Sequence, residues 1–169
     1  MNNTNEGGFD YFANVSYDIG ILASDDRDLL EVVSSALEHN IKTVFINGSH
    51  SLDKTLIINN SSLNLIGISK TARLTPASNN LECAFDIRGD NFRIMNISIN
   101  GFPESIRLHA NNCTIENTTI SSSETAINVD NSDNITLMNN VFHGHHDKGT
   151  GEGGVLLYIN NSSYGRLIN

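Results

Sequence analysis

The chain has 169 residues, enough for one domain with a real core, and its 10 Lys and Arg against 19 Asp and Glu give a formal net charge of −9. That balance excludes duplex nucleic acid as a natural partner, because phosphate binding rests on basic side chains that neutralise a dense negative charge. No apolar run approaches the roughly 20 residues that cross a bilayer, so membrane insertion is not expected.

Residues 1–23 open polar and then alternate through FDYFANVSYDI, which reads as an N-terminal arm or first strand. The opening lacks the basic start and apolar core of a secretion signal, so either export follows another route or a signal has been removed. Residues 24–40 read as a capping helix. Asp25, Asp26 and Asp28 crowd its start, where negative charge suits the helix dipole, and Leu29, Val33, Ala36 and Leu37 form one apolar stripe. Asn40 is its stop. A stack of strands has an open end with unpaired edges, and a short amphipathic helix placed here serves as its lid.

Residues 41–169 repeat themselves. AFDIRGDNFRIMNISI (84–99) lies over SIRLHANNCTIENTTI (105–120) and AINVDNSDNITLMNNVF (126–142). Ile87, Leu108 and Val129 stand 21 positions apart; Ile94, Ile115 and Leu137 follow at 21 and 22, in step with Ile99, Ile120 and Phe142. Apolar and polar residues alternate within each unit, the period of a half-buried strand. Asn96, Asn117 and Asn139 form a further column, read as a structural ladder. Asparagine tolerates the left-handed backbone of a sharp bend, and its amide can donate to and accept from a copy one layer away. The Asn-Gly and Asp-Gly signals of tight hairpins are missing between the strands, so the strands stack in parallel. The fold class is all-β: a right-handed, single-stranded parallel β-helix of about five rungs with an N-terminal capping helix. An antiparallel sandwich also alternates, but has no reason to keep three columns in step.

Earlier in the chain, Leu63, Leu65 and Ile68 lie 29 positions before Phe92, Ile94 and Ile97, which predicts one equivalent rung with a longer connection around Ser69 to Leu81. Gly67 stands where later rungs have asparagine. Cys83 and Cys113 sit at different corners and read as buried free thiols. The Asn-x-Ser/Thr sequences lie mostly within the rungs and read as turn chemistry. At the other end, Val155, Leu157 and Ile159 begin a fifth coil with no cap after it, so a homotrimer, another partner or further chain beyond residue 169 is expected to cover it.

The stretch DDRDLLEVVSSALEHNIKTVFINGSHSLDKTLIINNSSLNLIGI has an Asp-Asp start, a helix, a Val-Phe-Ile strand with a glycine corner, and then rungs. It resembles the opening of the pectate-lyase-like, right-handed β-helix superfamily, and the likeness extends over about residues 25–169. In character the chain is nearest to the bacteriophage tailspike and appendage members, although Ile-Leu-Ala-Ser replaces their usual Gly-Asp-Gly before the Asp-Asp. The resemblance implies a substrate lying along the outer face of the strand that precedes the first corner. On this chain that face offers two outward columns: Asp86, Arg107 and Asn128; and Arg88, His109, Asp130 and, in the last rung, Tyr158. Adjacent rungs are expected to bring Asp86 near Arg107 and to set His109 between Arg88 and Asp130. The loop HGHHDKGTGEGG adds His143, His145, His146, Asp147 and Glu152.

Asp130, His109 and Arg88 are the catalytic candidates. Asp86, Arg107, Asn128, Tyr158, His143, His145 and His146 are the candidate substrate contacts. No metal site is assigned, because His-x-His-His-Asp on a glycine-rich loop has no fixed geometry. The glycines of GTGEGG lack the Lys-Ser/Thr of a phosphate loop and precede a strand.

Three functions fit these residues. One is a virion appendage that binds, and in its enzymatic form cleaves, a cell-surface polysaccharide. Another is a secreted lyase, hydrolase or epimerase. Acting on an acidic chain, it would need a bridging calcium ion, since Arg88, Arg107 and His109 make a thin positive strip; otherwise no cofactor is expected. The third is a structural spacer.

Overall fold

The computed structural model describes residues 20–144, 155–163 and 165–168. Seven strands stack as one sheet: β1 (Gly20–Ala23), β2 (Thr43–Ile46), β5 (Asn64–Gly67), β8 (Arg93–Met95), β10 (Thr114–Glu116), β12 (Thr136–Met138) and β15 (Arg166–Ile168). This is the first face. The second holds β3 (Ser49–Leu52), β6 (Arg73–Pro76), the first halves of β9 (Ser98–Leu108) and β11 (Thr119–Asp130), and β13 (Val141–Gly144). The third holds β4 (Leu56–Ile58), β7 (Cys83–Ile87), the second halves of β9 and β11, and β14 (Val155–Asn160). Because β9 and β11 run unbroken across the edge between the second and third faces, those two faces form one connected sheet. The register of β11 on β9 shifts between Ser121 and Thr125, at that edge. All thirteen pairings among the described residues are parallel, and the chain is a parallel β-helix of about five turns.

The apolar columns pile up as their spacing requires. Ile94, Ile115 and Leu137 are successive Cα partners, as are Ile87, Leu108 and Val129, and Ile99, Ile120 and Phe142. All except the half-buried Phe142 are buried, and removing such a side chain from water stabilises by about 1.5–3 kcal/mol. Asn96, Asn117 and Asn139 take left-handed φ angles of 56°, 49° and 53°. Their backbone N–H groups donate into the next coil, to the carbonyls of Glu116, Met138 and Ile168.

Amide-to-amide bonds form at another corner. There Asn91, Asn112 and Asn134 are left-handed too, and Asn134 Nδ2 donates to Asn112 Oδ1 at 2.8 Å. Beside them the Asn111 N–H donates to Asp90, the Asp133 N–H to Asn111 and the Ser163 N–H to Asp133, at 2.7, 2.8 and 2.9 Å. Side-chain oxygens thereby tie each coil to the next.

Helix α1 (Leu29–Glu38) begins later than its three aspartates imply. Only Asp28 caps it, accepting from the Leu30 N–H at 2.8 Å. Asp25 instead accepts from the Ser49 N–H at 2.6 Å, and Asp26 from the Ser24 hydroxyl. The far end closes on left-handed Asn40: Asn40 N–H donates to Leu37 and Ile41 N–H to Ala36, the paired bonds of a Schellman stop. Leu29, Val32, Val33 and Ala36 are buried against β1, β2 and β3, so the helix covers the first coil. Val32 takes a share of the stripe expected of Leu37, which is half-buried.

One inward expectation changes. Ile68 is 54% exposed; Ala72, one residue before the Arg73–Ser98 partnership, takes the place level with Ile97. The longer connection of the second coil therefore starts at this corner as well as after β6. At the other end, Val155, Ile159 and Leu167 are exposed, and a cavity of about 350 Å³ between Leu137, Ile135, Leu157 and Leu167 opens the interior column to solvent. No helix among the described residues is long and apolar enough to cross a membrane.

Cys83 and Cys113 are buried and unbridged, and burial, the largest cause, pushes both thiols up to about 11. At pH 8 neither is expected to react with Ellman's reagent in the folded protein, whereas both react in urea. Stability is expected to fall as pH rises from about 9 to 11. Across that window the unfolded thiols ionise near their ordinary value of 9.0 while the folded ones do not.

Candidate functional site

On the third face, the register of β4, β7, β9, β11 and β14 aligns Ile57, Asp86, Arg107, Asn128 and Tyr158 in one column. Asp130 is partnered by Asn160, so the neighbouring column runs Arg88, His109, Asp130 and Asn160. Tyr158 thus belongs beside Asn128, in the other column from the one expected. The step from β11 to β14 is 30 residues, as in Asn128 to Tyr158, and a repeat of 21 or 22 gives no register across so long a connection.

Asp86 and Arg107 are Cα partners, yet each guanidinium closes on a carboxylate of its own coil. Arg88 Nε and Nη2 reach Asp86 Oδ1 and Oδ2 at 3.1 and 2.6 Å, a two-pronged pair on a carboxylate whose side chain is 12% exposed. That hydrogen bond holds Arg88 protonated even more firmly than usual. Arg107 closes on Glu104 and comes within 3.7 Å of Glu82. Burial opposes the Arg107 charge, but the Glu104 hydrogen bond and the surrounding acidic groups outweigh it and raise its pKa. Glu104 was not among the sequence candidates. Its cue was its place three residues before Arg107, just after the bend at Gly101, whose φ of 83° turns the strand across the edge.

His109 lies beside Asp130 with Nδ1 and Oδ2 3.9 Å apart, too long for a hydrogen bond. The Asp130 carboxylate is instead held by the Asn131 and Asn160 amides, each at 2.8 Å. Glu104 Oε1 and Asn128 Oδ1 are the two buried side-chain oxygens without a hydrogen-bond partner among the described residues, and both belong to this face.

Asp86, Arg88, Arg107, His109, Asn128, Asp130 and Tyr158 therefore share one face. His143 does not: it lies on β13, partnered with Ser121 on the second face. The strand direction changes before the chain reaches the third face, so its loop position did not carry it there. His145, His146, Asp147 and Glu152 lie outside the described residues. Among the described residues no group of three or more His, Cys, Asp or Glu is arranged to hold a metal ion. No family model matches the chain, and no curated protein or solved structure is significantly similar to it.

Chemically, the face is a ladder of polar groups repeating at the strand spacing of about 4.8 Å. Its carboxylates already have protein partners, while the His109 ring and the half-exposed Tyr158 ring remain for contact, with the half-buried Asn128 beside Tyr158.

Proposed function

We propose that the protein is a β-helix of the virion-appendage type whose third face binds an extended cell-surface polysaccharide without cleaving it. The observation that carries this reading is the commitment of the carboxylates. Asp86 is tied to Arg88, Glu104 to Arg107, and Asp130 to two asparagine amides. Glycoside hydrolysis commonly uses two carboxylates, one passing a proton to the leaving oxygen and the other free to act as base or nucleophile. A repeating set of amides, imidazole and phenol suits hydroxyl groups and ring faces of a bound chain. The His109–Asp130 approach favours the alternative, a lyase or hydrolase with Arg88 beside them, and the same experiment separates the two.

On a glycan array the protein is expected to bind, and Asn128→Ala and Tyr158→Ala are each expected to weaken binding about tenfold. Assays for reducing ends and unsaturated products are expected to stay silent. Products that vanish in His109→Ala or Asp130→Asn would replace binding with catalysis, and silence on both array and assays would leave a spacer.

This reading also assembles the chain side by side as a homotrimer. Its support is an outward ladder along the first face, where Leu22, Phe45, Ile66, Met95, Met138 and Ile168 are half-buried and in register, interrupted by Glu116. Glu116 is neutralised by Arg93 at 2.7 Å.

A further inference from the structure

At the corner between the first and second faces, later coils turn sharply at a left-handed asparagine, but the second coil inserts the loop Ile68 to Thr71 before Ala72. The loop is anchored: the Gly48 N–H donates to the Ser69 hydroxyl at 3.2 Å, and the Ser69 and Thr71 hydroxyls share a hydrogen bond at 3.0 Å. Beside the two coils that follow it borders an open, shallow cleft of about 430 Å³ lined by Ile68, Lys70, Asn96, Ser98, Asn117 and Thr119. That volume is in the range of small-ligand sites.

The lining differs from the corners at Asn112 and Asn134 and at Asn131 and Asn161, where the amides are paired. Asn112, Asn131, Asn134 and Asn161 spend their amides on one another or on neighbouring carboxylates. Asn96 and Asn117 are exposed at their left-handed bends, and their amides make no hydrogen bond with another described residue. Two amides one coil apart, about 4.8 Å, therefore present free donors and acceptors to the cleft, with Thr119 beside them. On the lip, Ile68 offers an exposed aliphatic surface and Lys70 an ammonium group. Arg73, the Cα partner of Ser98, stands exposed in the adjoining outward column. In a chain of net charge −9, this corner gathers two of the ten Lys and Arg residues.

We propose that this corner cleft is a second glycan subsite, selective for a sugar unit that carries a carboxylate. Adjacent hydroxyls of the unit bridge the Asn96 and Asn117 amides, its C–H face packs on Ile68, and its carboxylate pairs with Lys70 within the field of Arg73. The proposal goes beyond the third-face reading and uses none of its residues.

The test titrates a uronic-acid tetrasaccharide, and a neutral tetrasaccharide of matched linkage, into ¹⁵N-labelled protein. The acidic probe is expected to shift the side-chain amide signals of Asn96 and Asn117. Lys70→Met, which keeps most of the exposed stem, is expected to weaken its binding about tenfold, and Ile68→Ser to weaken both probes. Asn128→Ala on the third face should leave these shifts unchanged. Absence of shifts at Asn96 and Asn117, equal binding by wild type and Lys70→Met, or loss that follows Asn128→Ala would each overturn the subsite. Failure here with glycan binding retained through Asn128 and Tyr158 would leave the third-face reading standing.

Discussion

Replacing Phe85 by alanine is expected to lower the free energy of unfolding by about 3–5 kcal/mol, with the midpoint of a urea transition followed by circular dichroism as the measurement. Phe85 is completely buried in β7, between its Cα partners Leu56 above and Ile106 below, and its ring lies tilted against Phe92 with centroids 6.4 Å apart. The cost is placed at the high end because of the architecture. Each coil is held to the next by a ladder of backbone hydrogen bonds at fixed spacing, so rungs cannot close over a missing ring as helices can slide to fill a gap. A stacked array also gives a coil only its two neighbours to lean on, and a hole in one coil weakens both interfaces. Ile57 is the internal control. It lies one residue along from Leu56 but faces outward and is half exposed, so Ile57→Ala should change stability by no more than about 0.5 kcal/mol. Equal losses at the two positions would contradict the inward column.

The contrast between those neighbours was legible in the sequence, because alternation is local and the repeat needs only a ruler. Ile87, Leu108 and Val129 could be placed over one another before any coordinate was known, and parallel pairing followed from that alignment and the missing hairpin turns. Side-chain partners on the wet flank were not legible. A parallel register decides which Cα atoms are level, but a guanidinium on a flexible stem reaches whichever carboxylate offers the better geometry. Arg88 therefore closed on Asp86 two residues away in its own coil, and Arg107 on Glu104, instead of Arg107 pairing with Asp86 across the coils. Long connections hid the rest. Tyr158 changed column because 30 residues separate it from Asn128, and Ile68 turned outward because its coil inserts a loop at the corner. The column Asn91, Asn112, Asn134 repeats at 21 and 22 like the one that was read. Spacing alone does not say which column pairs its amides, and in this one Asn134 donates to Asn112.

Gly67→Ala is expected to destabilise by about 3 kcal/mol or more, although it adds a single methyl group. Gly67 ends β5 opposite Ile46, at the position level with Asn96 of the next coil. Asparagine at that level bends through a left-handed φ of 56°, whereas the positive-φ glycines among the described residues are Gly48 and Gly101, so conformational freedom is not what the second coil needs here. It needs space. A Cβ on Gly67 would stand 2.1 Å from the Asn96 carbonyl oxygen and 2.9 Å from the Ala72 Cβ. Neither obstacle can rotate away: one is backbone, held in the ladder, and the other is a methyl group on the buried side of the corner. Relief requires the two coils to part, which loosens the hydrogen bonds between β5 and β8 and moves the loop that begins at Ile68. Gly165→Ala separates this from a general intolerance of alanine, since nothing lies within 4 Å of a Cβ added there. Thermal melting should show a large fall for Gly67→Ala and none for Gly165→Ala; a Gly67→Ala protein that melts with the wild type would mean that the second and third coils are not packed as tightly as Asn96 and Gly67 imply.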